Sequence, residues 1–170
     1  LSSLHDPPSF YLSLTNNNLN KKKEDHAMKT MLIEWPDLGI EVVADMLDDK
    51  NPDMINEIWE NLPLHAIQEH AMVTGKSMYS WVPMISLAKP QYQMMIKDTP
   101  PGVVSYSQKT GNKLIVRYGE CTEDLLTPVL GFVRKEQLGE IEKVADAIWK
   151  NYSTDKKPIR VIFKKGEERK

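Results

Sequence analysis

Between Thr30 and Lys164 the sequence runs in short segments of alternating apolar and polar residues, interrupted by two stretches at helical spacing. Period-two segments bounded by Gly, Pro, Asn and Asp are strands, and each must bury one face against a neighbour. There is no repeating βαβ rhythm, so the strands pair mostly with their chain neighbours and run antiparallel. The order predicts a mainly β fold, an antiparallel barrel or sandwich capped by two helices.

Residues 30–34 read as a first strand, followed by a turn at Pro36 to Gly39. Residues 40–47 form a second strand with Ile40, Val42, Ala44 and Met46 on one face. Asn51 is placed to cap a helix opened by Pro52, with Ile55, Ile58, Trp59 and Leu62 as its buried stripe and Pro63 as its end. Residues 64–83 read as two strands joined at Thr74, Gly75 and Lys76, and a connection rich in Lys, Pro and Gln then runs over 88–102. Met94, Met95 and Ile96 fit a brief strand within it. Residues 103–107 and 113–118 form a hairpin in which Gly111 supplies the positive φ. After a mixed stretch at 121–133, residues 135–152 form a second helix with Leu138, Ile141, Ala145, Ile148 and Trp149 inward, and 158–164 close the chain as a strand.

Residues 1–27 differ: Asn16 to Asp25 offer almost nothing to bury and read as a disordered leader, with Met28 as the natural start and 28–170 as the barrel domain. The rival reading is an N-terminal arm anchored by Phe10, Tyr11 and Leu12. A chain of 170 residues suits one domain with a real core.

The formal net charge of -2 argues against nucleic acid as the main partner, since phosphate binding needs concentrated Lys and Arg. The lysine clusters, Lys21 to Lys23 and Lys164 to Lys170, lie toward the ends and read as solvated tails. One cysteine, Cys121, excludes an intramolecular disulfide and a four-thiolate zinc site. No apolar run approaches the roughly eighteen residues of a membrane span, and residues 1–14 lack the pattern of a secretory signal. A reducing cytoplasm is the expected compartment. With no glycine-rich phosphate loop, neither a Rossmann nor a P-loop cofactor site is expected. His65 and His70 point to opposite faces of a strand, so no metal site is expected there either. Exposed strand edges make a homo-oligomer plausible.

Glu69, His70, Lys76, Tyr79 and Trp81 crowd titratable and aromatic groups onto one strand pair. A strand pair needs alternation, not this density of polar groups, and the surplus suggests a lined pocket for a small molecule.

The order of elements resembles the cyclophilin-like barrel, and the small bacterial cyclophilin-like proteins more closely than the peptidyl-prolyl isomerases. The carrying motifs are Trp59 to Pro63, the strand pair ending at Pro83, Gly102 to Tyr106, and Leu114 to Glu120. Prolyl isomerases carry a Phe-His-Arg triplet where this chain reads Glu69-His70-Ala71, so isomerase activity is disfavoured. Residues 42–49, 71–79 and 119–123 are similar to the cyclophilin-like region of cucumopine- and mikimopine-type opine synthases. That resemblance implies a Pictet-Spengler condensation of an amino acid such as histidine with a 2-oxo acid, without a cofactor. The synthases also carry helical sequence beyond the barrel.

Such a ring closure needs a base for the amine, an acid to expel water, and cations for carboxylates. Glu69 or His70 fits the base, Tyr79 or Tyr106 the acid, Lys76 or Arg117 the anchor, and Trp81 can stack on an imidazole. A buried Arg117 would need an acid partner such as Glu120. If the face holding Glu69 is buried, its pKa should be raised, which suits a base. Bland readings stand beside these. His70 fits a hydrogen-bonded structural histidine, Tyr106 and Tyr118 are ordinary strand residues, and Trp59 and Trp149 belong to the core. Met94 and Met95 are adaptable packing or pocket lining. A non-catalytic binding or interaction module using the same pocket is the competing class.

Overall fold

β1 (Lys29–Trp35) and β2 (Ile40–Met46) form the first antiparallel pair, with Met31, Ile33 and Trp35 fully buried on one face and Val42 and Ala44 beside them. This computed structural model describes residues 29–168, so the expected leader and Met28 lie outside the described residues. Eight further strands follow: β3 (Leu64–Ile67), β4 (Glu69–His70), β5 (Gly75–Trp81), β6 (Gln93–Met95), β7 (Val103–Ser107), β8 (Lys113–Cys121), β9 (Leu126–Val133) and β10 (Arg160–Glu168). The two helices are α1 (Pro52–Asn61) and α2 (Leu138–Ser153).

The sheet order is β3-β10-β1-β2-β9-β7-β8-β5-β4, with β6 paired to β9 and every pairing antiparallel. Its two end strands, β3 and β4, are separated in sequence by Gln68 alone. The single strand expected from residue 64 onward is therefore two strands that pair with opposite ends of the sheet. Gln68 stitches that seam. Its backbone N–H donates to the Ile159 carbonyl (2.8 Å), its Nε2 donates to the Tyr79 carbonyl (2.9 Å), and its Oε1 accepts from Trp35 Nε1 (2.9 Å). Every polar group of this buried amide has a use, as burial demands.

Both helices lay an apolar stripe on the core. α1 buries Met54, Ile55, Ile58 and Trp59, and α2 buries Ile141, Val144, Ala145 and Ile148. Each large side chain so buried is worth about 2 kcal/mol against exposure. Asn51 does precede α1, but its side chain makes no cap bond. It is buried and turned to the long connection instead. Nδ2 donates to the carbonyls of Tyr92 (2.8 Å) and Val129 (2.6 Å), and Oδ1 accepts from the N–H groups of Gln91 (2.8 Å) and Tyr92 (2.9 Å). Bonds to four backbone groups outweigh one cap bond. Trp149 also departs from expectation: it is 39% exposed on the flank of α2, outside the core. No helix among the described residues is long and apolar enough to cross a membrane.

Candidate functional site

β5, β7 and β8 are buried on both faces. Met78, Val104, Tyr106, Leu114 and Val116 turn into the barrel core. The residues out of phase with them, Ser77, Tyr79, Ser105, Ile115 and Arg117, occupy the outer face. Register aligns Ser77 with Arg117 and sets Tyr79 and Ser105 on either side of Ile115. The 88–102 connection and the segment after β8 cross over this face and enclose a cavity of about 620 Å³. That volume suits a small metabolite.

Arg117 forms the floor. It is only 1% exposed, its Nη1 donates to Ser105 Oγ (2.6 Å), and its Nε has no hydrogen-bond partner. Burial pulls down the proton affinity of the guanidinium, while nearby Cys121 and Glu123 oppose that pull. An arginine stays charged even so. Among the described residues no carboxylate is ion-paired with it. The expected partner, Glu120, is exposed and lies outside the cavity lining. The reason is alternation: Glu120 is three residues from Arg117 on one strand, and odd separations change faces. Half-buried Glu123 supplies the cavity's carboxylate, Lys89, Lys109 and Lys113 add cations, and Tyr79, Ile115 and Leu125 add apolar surface.

Rigidity of the rim comes from the β7–β8 hairpin. Gly111 has φ +90°, and a Cβ there would run into the Trp81 ring. The ring lies against this turn and beside Lys113, and it does not line the cavity.

The other predicted residues fall elsewhere. Tyr106 is fully buried, with its hydroxyl shared among Ser86 N–H (3.2 Å), the Met84 carbonyl (3.1 Å) and Asn112 Oδ1 (3.1 Å). It ties the segment just before the connection to the hairpin, away from the cavity lining, which does not suit an acid for bound substrate. Glu69 lines a recess of about 290 Å³ between β4 and α2, where Oε2 accepts from the Tyr152 hydroxyl (2.7 Å). Burial, with the Glu69 bond adding to it, pushes that hydroxyl up to about 12. Met94 and Met95 pair with β9 and do not line the cavity.

His70 sits on the α2 side with Lys76, in a recess of about 500 Å³. Its Nδ1 lies 2.7 Å from the Ala71 carbonyl and its Nε2 lies 2.7 Å from Tyr118 Oη. A carbonyl only accepts, so Nδ1 carries the proton, and in the neutral ring Nε2 accepts from the tyrosine. Burial lowers the His70 pKa, partly offset by its bond to Ala71, so the neutral ring is favoured near neutrality. Trp149 packs on the imidazole at 4.7 Å between centroids. The sign for stability follows. A histidine whose folded pKa lies below its ordinary 6.5 takes up fewer protons folded than unfolded. The protein should thus lose stability as pH falls below about 6.5, and a His70→Gln chain should lack that component in urea titrations across pH.

The chain is similar to McbB, a protein solved in complex with tryptophan. Identity is 31%, the TM-score is 0.72, and the match covers 79% of this chain. It covers 44% of McbB, so the chain spans less than half of that protein's length. The fold is thereby a cyclophilin-like, mainly antiparallel barrel. A second likeness, to the hypothetical protein AF2241 from Archaeoglobus fulgidus, has 12% identity and a TM-score of 0.52, covering 82% of this chain and 96% of that one. It speaks to fold alone. No protein-family model matches the chain, and no curated protein does.

Of the predicted site residues, Tyr79 and Arg117 meet in the cavity. His70 and Lys76 share the recess behind it, while Glu69, Tyr106, Trp81 and Glu120 are placed apart from both. Sequence reading missed Glu123 and Lys113. Lys113 was within reach, because 113, 115 and 117 alternate onto one face. Glu123 lies inside the 119–123 stretch whose resemblance to the opine synthases was noted above, but only the loop's path shows where it points.

Proposed function

We propose that the outer-face cavity binds an α-amino acid together with a carbonyl compound and promotes their imine-forming, Pictet-Spengler-type condensation. The observation that carries this is Arg117: a buried guanidinium with unused donor capacity at the floor of a metabolite-sized cavity. Such a group favours a carboxylate strongly, because water is excluded and the fork matches two oxygens. The similarity to a protein that holds tryptophan supports an amino acid as that ligand.

With the carboxylate on Arg117, the substrate amine lies toward Glu123, which takes the ammonium proton. The free amine forms an imine at the carbonyl carbon, and Tyr79 protonates the oxygen that leaves as water. The ring carbon of histidine or tryptophan then closes on the iminium and loses its proton to a base. Lys89 and Lys109 at the rim face the carboxylate of a 2-oxo acid. Glu69 and His70 carry no step, since neither reaches this cavity.

The test is a mass-spectrometric turnover assay with histidine or tryptophan and 2-oxoglutarate. The product is the sum of the substrates less one water, and Glu123→Gln should lower its rate by about a hundredfold or more. No product from a folded protein that still binds the amino acid would sink the condensation. It would leave a binding module.

A further inference from the structure

Lys113 has an environment that the other cations of the cavity lack. β8 presents it on the face shared with Ile115 and Arg117, and it pairs across the strands with Trp81. Its Nζ lies 4.9 Å from the Tyr79 ring centroid and 4.8 Å from that of Trp81. The two rings stand at 89° to each other and form a corner around the amine. Among the described residues no carboxylate is ion-paired with Lys113, whereas Lys97 and Lys143 each hold one and Lys164 holds two. Burial lowers its pKa below that of an ordinary lysine, and the charge of Glu123 only partly opposes this.

We propose that Lys113 is a covalent catalyst, the amine that captures the carbonyl substrate as a protein-bound imine. This rests on the reading that the cavity receives a carbonyl compound. The neutral Nζ attacks the carbonyl carbon, the C–N bond forms as the π pair moves to oxygen, and that oxygen takes up protons and leaves as water. The iminium carries the same charge as the ammonium it replaces, so the faces of Tyr79 and Trp81 stabilise it in place. The amino group of the second substrate then adds to the iminium carbon and expels Nζ, which regenerates the free lysine and delivers the substrate imine. No electrons are gained or lost. The gain is kinetic, because an iminium is more electrophilic than the parent carbonyl, and one difficult step becomes two easier ones.

The decisive experiment is borohydride trapping of the full chain with pyruvate or 2-oxoglutarate, read by intact mass and peptide mapping. The trapped chain should be heavier by the oxo acid less one oxygen atom, with the label on Lys113. Lys113→Arg should lose about nine-tenths of the adduct or more while holding its melting temperature. Lys76→Arg, outside the cavity, should label as the parent does. Calorimetric binding of the same oxo acid is measured alongside. Binding without an adduct, or an adduct mapped to another lysine, overturns Lys113 as the nucleophile and leaves the cavity's function standing. Absence of both binding and adduct overturns the two together.

Discussion

Arg117→Met should weaken α-amino-acid binding by about a hundredfold, some 3 kcal/mol, while leaving the folded chain as stable as before or more so. The two signs differ for one reason. In the free protein Arg117 is a buried cation with one short bond to Ser105 and an unpartnered Nε, so its desolvation is poorly repaid. A methionine fills the space of the arginine's stem without that cost. In the complex the guanidinium meets a carboxylate in a site shielded from water, where charge-assisted bonds are strongest. Isothermal titration and thermal melts on one preparation read both quantities. A purely structural arginine would show the reverse, with stability falling and affinity hardly moved. Arg117→Lys should fall between, because it keeps the charge and loses the fork.

Asn51→Ala should cost about 3 kcal/mol of stability, the largest expected loss for a single polar side chain here. Two carbonyls and two N–H groups bond that amide, and of the four the Tyr92 carbonyl also accepts from the Val129 N–H. Each buried backbone group left unmatched costs about 1 kcal/mol or more, although entering water can recover part of it. On a total stability of about 5–15 kcal/mol that is a large share. Gln91 and Tyr92 sit between Pro90 and Gln93 of the cavity wall, so the same variant should loosen the wall and weaken ligand binding. Urea unfolding gives the first number, and limited proteolysis over residues 88–96 gives the second. Asn51→Asp should be nearly as damaging, since it keeps the acceptor, loses both donors and places a carboxylate against two carbonyls. A loss under about 0.5 kcal/mol for Asn51→Ala would mean that the connection is held by other contacts.

The antiparallel strands were legible in the chain because they alternate cleanly, while the choice of a barrel over a sandwich came from the resemblance in element order. Val42, Ala44 and Met46 show a period of two, and Ile55, Ile58 and Trp59 show a helical stripe; both patterns report local geometry and one buried side. Asn51 and Pro52 marked the start of α1 correctly even though the amide itself bonds elsewhere. Gln68 could not have been foreseen as a seam. The break between β3 and β4 depends on β10 and β5 arriving from distant parts of the sequence to claim the two halves. Trp149 shows the limit of the stripe argument: it follows Ile148 in the apolar sector, yet α2 meets the sheet at His70 and leaves that ring at the edge.

The site divides along the same line. Composition and alternation alone determined a mainly antiparallel β fold, barrel or sandwich, with two helices and a strand pair rich in titratable groups. They did so because side-chain direction along a strand is fixed every second residue. Which face becomes a cavity was decided by tertiary structure. The 88–102 connection folds back over the outer face, pinned by Asn51 at Gln91 and Tyr92 and by Gln108 at the Ala88 carbonyl, and the segment after β8 brings Glu123 to the same space. Loop paths depend on long-range partners that no local period encodes. For that reason Glu69 and His70, the carboxylate and imidazole most conspicuous in the sequence, ended in recesses outside the cavity, and Arg117 ended at its floor.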